Sequence, residues 1–195
     1  SLPFLLIAGC ALLLMAGEAD AKEPEWNYTA DSSINSVAIS ADGEYIVAGS
    51  DDSKVYFFDK DNNTPLWSYT AGDGVFSVAI SSNGETIVAG SLDNNVYLFS
   101  KDGTLLWSYG TGNRVWSVAI AENGETIAAG SWDNKVYLFD KDSSTPLWSN
   151  ATENYWVYSV AISADGEYIV AGGYNKAYLF DKDSSTPLWN YTAGS

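Results

Sequence analysis

The segment DKDSSTPLW occurs at Asp140–Trp148 and again at Asp181–Trp189, with a near copy, DKDNNTPLW, at Asp59–Trp67. A second marker keeps the same beat: SVAIS at Ser36, SVAIS at Ser77, SVAIA at Ser117 and SVAIS at Ser159. Trp26, Trp67, Trp107, Trp148 and Trp189 are separated by 41, 40, 41 and 41 residues. A fixed period of this length marks a repeat architecture and constrains the fold more than any local propensity. Each unit must meet an equivalent neighbour through equivalent surfaces, so the same residues are written again.

Each unit reads as four short strands. INSVAIS (Ile34 to Ser40) ends at ADGE, whose Asp42-Gly43 is a strong hairpin signal. YIVAGS (Tyr45 to Ser50) closes in a polar turn at Asp52-Ser53, KVYFF (Lys54 to Phe58) follows, and LWSYT (Leu66 to Thr70) completes the unit. β-Branched and aromatic residues fill the runs, with Gly, Asp, Asn and Pro between them. In SVAIS and IVAGS both faces are apolar or small, so the sheet must be covered on both sides. Four-stranded antiparallel sheets stacked face to face about an axis are the blades of a β-propeller. A β-sandwich would not explain one tryptophan per 41 residues. The predicted fold is therefore all-β, with blades at about 34–70, 75–110, 115–150 and 157–193 inside a repeat region of residues 22–195.

The Trp-bearing strand occurs five times and the other three strand types four times. The surplus predicts an incomplete arc of a propeller of about six to eight blades, with a closed four-bladed ring as the alternative. Open terminal blades would expose apolar faces, and self-association is expected of them.

Ahead of the repeats, Ser1 to Gly17 is almost wholly apolar and EADAKEPEW turns abruptly polar. This is the pattern of a leader helix over residues 1–21, with Ala19-Asp20-Ala21 as a small-x-small cleavage site. An uncleaved membrane anchor and a lipidated Cys10 in LIAGC remain alternatives. The expected location is secreted or extracytoplasmic, with membrane contact only through an uncleaved leader.

Composition narrows the function classes. The 195 residues are 46% hydrophobic and 14% aromatic, so a substantial core can form. There is no histidine, which removes Ser-His-Asp triads and most transition-metal sites. The net charge of −16 repels phosphate backbones and argues against nucleic acid as a partner.

The pattern DGEYIVAGSxDxKVYLFDxxxxxPLW resembles the pyrroloquinoline-quinone (PQQ) type propeller repeat. In that family an Asp and a Trp eight residues later dock neighbouring blades, which the resemblance assigns to Asp59 and Trp67, Asp140 and Trp148, and Asp181 and Trp189. The second repeat departs, with Ser100 and a loop one residue shorter, and Asn63, Ser144 and Ser185 replace the family's glycine. The first two strands are also similar to a WD repeat, with Asp52, Asp93 and Asp133 at its turn aspartate; the His of its polar tetrad is absent, and Phe58-Asp59 stands where Trp-Asp would. The resemblance is specific for fold and weak for function.

Differences among the repeats point to the site. The residue before SVAIS is Asn35, Phe76, Trp116 or Tyr158, and the turn residue after AGS or AGG is Asp51, Leu92, Trp132 or Tyr174. Antiparallel pairing puts these at one edge of each blade, matched in character. Arg114, Trp116, Trp132, Tyr155, Trp156, Tyr158 and Tyr174 are the candidate partner-binding residues, an aromatic platform with one cation suited to sugars, cations or an extended peptide. Cross-strand packing is the competing reading. DKDNN (Asp59, Asp61, Asn63) has oxygen donors at alternate positions, but lacks the glycine and distal acid of a calcium loop, and an Asx turn explains it. N-x-S/T sequons stand at Asn27, Asn62, Asn150 and Asn190.

The expected function is an exported, non-catalytic scaffold binding a protein or glycan, with no catalytic residues, no cofactor and no metal. The alternatives are a structural cell-envelope or assembly propeller, and the N-terminal part of a PQQ-dependent dehydrogenase. The last would need calcium-binding acids and often adjacent cysteines at the cofactor, and neither arrangement is visible after Cys10.

Overall fold

A computed structural model describes residues 23–153 and 156–194. The predicted leader, its cleavage site and Cys10 lie outside the described residues, as does Tyr155. The described chain folds into four four-stranded antiparallel sheets in up-and-down order. The first holds β1 (Ile34–Ile39), β2 (Tyr45–Ser50), β3 (Lys54–Asp59) and β4 (Trp67–Thr70). The second holds β5 (Val75–Ile80), β6 (Thr86–Ser91), β7 (Asn95–Ser100) and β8 (Leu105–Gly110). The third holds β9 (Val115–Ile120), β10 (Thr126–Ser131), β11 (Lys135–Asp140) and β12 (Trp148–Ala151). The fourth holds β13 (Val157–Ile162), β14 (Tyr168–Gly173), β15 (Lys176–Asp181) and β16 (Trp189–Thr192). Consecutive sheets pack face to face, and their first strands, β1, β5, β9 and β13, neighbour one another in turn. This is the predicted stack of propeller blades.

Local chemistry sets the turns. In the first hairpin of the first sheet, the Asp42 carboxylate accepts the Ser40 hydroxyl at 2.5 Å and the Glu44 amide at 3.0 Å. These bonds, the Ser40 hydroxyl foremost, hold its carboxyl below the ordinary value. The same corner uses Asn83 in the second sheet and Asp165 in the fourth. Ser53, Asn94 and Asn134 carry the left-handed backbone of the second turn, with φ of 69°, 77° and 69°.

The core lies between sheets rather than within one. Val47, Val55 and Phe57 of the first sheet pack against Val75, Val78, Ile87 and Phe99 of the second. The next two interfaces repeat that plan. Every residue of β6 and β10 is buried, as a sheet covered on both sides requires. The outermost faces are different. Val37 on the first sheet is 66% exposed, whereas its counterpart Val78 is 6% exposed; Val170 on the fourth is 41% exposed, whereas Val47 and Val88 are fully buried.

Candidate functional site: an aromatic rim on four bulges

The variable residues of the repeats share one backbone feature. In every sheet the pairing of the first strand with the second slips by one residue near its start. Val75 pairs with Ser91 but Ser77 with Gly90, and Val115 pairs with Ser131 but Ser117 with Gly130. The same slip separates Ile34 from Ser36 and Val157 from Ser159. The extra residue is Asn35, Phe76, Trp116 or Tyr158. A β-bulge leaves its extra residue outside the ladder and re-aims it. The position that varies thus lies outside the regular pairing of the strands.

The structure brings most of the candidate residues together. Trp116 stacks on Trp132 at 4.4 Å between ring centroids and 16° between planes, and Trp132 stacks on Trp156 at 4.5 Å and 14°. Phe76 extends the row onto Trp116 at 4.4 Å, and Tyr158 meets Trp156 edge-on at 6.3 Å. The Arg114 guanidinium lies 5.7 Å from the Trp132 ring centre, within cation–π reach. The row therefore crosses the second, third and fourth sheets at one end of their strands. Trp156, Tyr158 and Tyr174 are exposed, while Phe76, Trp116 and Trp132 are half-buried. In the first sheet the same corner is polar: the Asn35 amide donates to Asp51 at 2.7 Å and to the Val75 carbonyl at 3.2 Å. The matched pairs Asn35 with Asp51 and Trp116 with Trp132 are in direct contact. The indole N–H of Trp132 is buried and has no hydrogen-bond partner among the described residues.

The docking residues divide their roles. Trp67 donates its indole N–H to the Lys101 carbonyl of the next sheet at 2.8 Å, Trp107 to Lys141 at 2.7 Å and Trp148 to Lys182 at 2.7 Å. Asp59, Asp140 and Asp181 instead accept the amides of Asp61, Asp142 and Asp183 at 2.9 Å, closing turns within their own sheets. The bond across the interface belongs to the tryptophan. In DKDNN, Asp61 turns to Lys60 and the Asn63 amide donates to the Asn27 carbonyl, so the three donors of that segment diverge.

A second set of aspartates does join repeats. Asp93 accepts the amide of Asn95 in its own turn at 2.9 Å, the phenol of Tyr97 at 2.5 Å and the amide of Gly72 in the preceding repeat at 2.7 Å. Asp133 binds Lys135, Tyr137 and Gly112 in the same way. Burial pushes the Asp93 carboxyl up, but the hydrogen bonds from Tyr97, Asn95 and Gly72 outweigh it and hold the carboxyl below its ordinary value. Burial and Asp93 together push the Tyr97 phenol upward. Sequence reading placed these aspartates in a turn but not in the clamp. The signal was present in their constant offset of 21 residues from Asp31, Gly72 and Gly112.

Of the sequons, Asn27, Asn62 and Asn190 are exposed. Asn150 is half-buried, and the amide nitrogen that would carry a glycan donates to the Ser185 carbonyl at 2.7 Å.

Comparison with known families agrees with this architecture. The family model described as outer membrane protein assembly factor BamB matches residues 4–131. The WD domain, G-beta repeat, matches residues 145–181. No curated protein matches the chain. The first match spans more than half of the sequence, so the chain belongs to the BamB outer membrane assembly factor family of PQQ-type β-propeller repeats.

Proposed function

We propose that the chain is an exported, non-catalytic propeller scaffold that binds a protein or glycan through the aromatic rim at the bulged corners. The stacked row Phe76–Trp116–Trp132–Trp156 carries this reading. The first sheet closes the same corner with an Asn35–Asp51 hydrogen bond, so a blade does not need aromatics there. The exposed end, Trp156 and Tyr158 with Arg114 nearby, offers flat apolar surface and a cation, which suit a sugar ring or an extended peptide.

The apolar leader pattern and the family's description as an envelope assembly factor support an extracytoplasmic location. That description also favours a second reading, a structural role in the cell envelope. Glycan and peptide arrays probed with the whole chain test the first. Trp156→Ala and Arg114→Ala should each weaken the bound hits by about tenfold or more, with melting temperature within about 2 °C of the parent. Hits that bind the variants equally, or no hits at all, would refute the rim as the binding surface.

A further inference from the structure

The corners between the first and second strands of the sheets are alike in shape and differ in chemistry. Asp42-Gly43 and Asp165-Gly166 turn the first and fourth sheets, while Asn83-Gly84 and Asn123-Gly124 turn the second and third. All four side chains accept the amide two residues on: Glu44 and Glu85 at 3.0 Å, Glu125 at 3.0 Å and Glu167 at 3.1 Å. In Asn83 and Asn123 these bonds go to Oδ1, and both side chains are exposed to water. The backbone of the next residue is left-handed, with φ of 72° at Gly84 and 78° at Gly124. A Cβ on Gly124 would also lie 2.9 Å from Thr86 Oγ1 of the preceding sheet, so the corner requires glycine. A glycine nitrogen carries no side chain beside it to shield it from the carboxamide it follows.

We propose that Asn123 is a site of hydrolytic modification to aspartate and isoaspartate, with water as the co-reactant, and that the fold protects Asn83 from the same change. The Gly124 nitrogen attacks Asn123 Cγ, a new N–Cγ bond forms, and the Cγ–Nδ2 bond breaks. Ammonia leaves with the proton given up by the Gly124 nitrogen. Water then opens the resulting five-membered imide, at the Cγ carbonyl to give aspartate or at the main-chain carbonyl to give isoaspartate. No oxidant or reductant is needed.

The two corners differ by one hydroxyl. Ser81 donates to Asn83 Oδ1 at 2.7 Å and accepts the Thr86 amide at 3.0 Å. In the third sheet Ala121 stands in that place, and Asn123 Oδ1 keeps the Glu125 amide alone. Attack carries Cγ onto the glycine nitrogen and Oδ1 out of the turn, so the bond from Ser81 must also break at Asn83. One such bond corresponds to a factor of about 2 to 10 in rate. The glycine N–H donates to the Ser81 or Ala121 carbonyl at 2.9 Å in either corner and does not distinguish them.

The two products have different consequences. Aspartate fits, because Asp42 and Asp165 already fill this corner with the same turn bond. Isoaspartate adds a carbon to the main chain beside Glu122, whose carbonyl accepts the Ser82 amide at 3.0 Å and whose amide donates to the Ala164 carbonyl at 3.1 Å. These bonds tie the corners of the second, third and fourth sheets together, and the longer chain displaces them.

Prolonged incubation of the whole chain in mildly alkaline buffer, followed by peptide mapping with mass spectrometry and isoaspartyl methyltransferase labelling, tests the proposal. Incubation in urea gives the intrinsic ratio of the two sites. In the folded chain the Asn123 to Asn83 rate ratio should exceed that intrinsic ratio by about 2- to 10-fold. Ala121→Ser should slow Asn123 by a similar factor, and Ser81→Ala should speed Asn83. Asn123→Asp should melt within about 2 °C of the parent, whereas the isoaspartyl fraction should melt lower. A folded ratio equal to the intrinsic one, an Asn123 rate unmoved by Ala121→Ser, or an intact Asn123 where Asn83 converts would overturn the proposal.

Discussion

Replacing Gly90 by alanine adds one methyl group at the closest approach between the second and third sheets. The added Cβ would sit 2.6 Å from Val115 Cγ1, 3.0 Å from Val118 Cγ1 and 3.2 Å from Val115 Cβ. The nearest of these is about 1 Å inside ordinary carbon–carbon contact. Valine is stiff about χ1, and both valines are buried, so relief requires the sheets to part. Overpacking of this kind costs about 1–3 kcal/mol. The smaller chain entropy of alanine in a strand returns about 0.5–1 kcal/mol. The net expectation for Gly90→Ala is destabilisation of up to about 2.5 kcal/mol, centred on about 1. At Gly172 the nearest atom among the described residues is the Ser159 carbonyl oxygen at 4.0 Å, and the same change should stabilise by about 0.5–1 kcal/mol. Urea unfolding at about 1 μM, followed by tryptophan fluorescence and far-UV circular dichroism, gives both signs as shifts of midpoint at constant m-value. Adding Val115→Ala removes the clashing methyls, and the double-mutant cycle should show favourable coupling with Gly90→Ala. Equal effects at Gly90 and Gly172, or absence of that coupling, would refute the close-approach reasoning.

Further outcomes follow from the same geometry. Asp93→Ala should cost about 2–4 kcal/mol, because it removes hydrogen bonds to a charged acceptor that ties two repeats, and Asp93→Asn should cost less. The Asp93 carboxyl lies below its ordinary 3.8 in the folded state. Its contribution is therefore complete above that value and lost as pH falls through the lower folded one; thermal melts of Asp93→Asn should show a shallower acid dependence than the parent. Trp107→Phe should destabilise by about 1–2 kcal/mol in chemical unfolding, since the Lys141 carbonyl loses its donor while most of the ring contact with Phe139 remains. In a host that glycosylates N-x-S/T sites, peptide mapping should find Asn150 with lower occupancy than Asn27, Asn62 and Asn190, because a glycan there must break the bond to Ser185.

Much of the fold was legible because the repeat compares the chain with itself. Strand positions, the D-G hairpin and two-sided burial all rest on patterns that recur, and the structure contains each. The bulge was not read, although its trace is present. Val75 and Val78 are both buried against the preceding sheet at a spacing of three, and only an extra residue puts both on one face of a strand. The aspartate clamp was missed for another reason. Its ligands come from the turn, from the third strand and from the exit of the preceding repeat, and strand-by-strand reading does not connect them. Assigning Asp59, Asp140 and Asp181 to blade docking carried over a family pattern whose cross-sheet half here resides in the indole alone.

The bulge also explains how one repeat can hold a constant core and a variable surface. Along a regular strand, substituting one residue changes a side chain fixed between two packed faces. An extra residue escapes that pairing, so Asn35, Phe76, Trp116 and Tyr158 occupy equivalent places without altering the Val-x-x-Val contact beside them. The neighbouring turn residue is the nearest partner, and the two must agree in chemistry, as the Asn35–Asp51 bond and the Trp116–Trp132 stack do. Exchanging both members of one corner for those of another tests this independence directly. Trp116→Asn with Trp132→Asp should retain the sheet and its melting cooperativity, whereas Trp116→Asn alone places an amide against an indole and should cost more. If the paired exchange is worse than the sum of its single changes, the corner is part of the core, and the rim has no freedom to specialise.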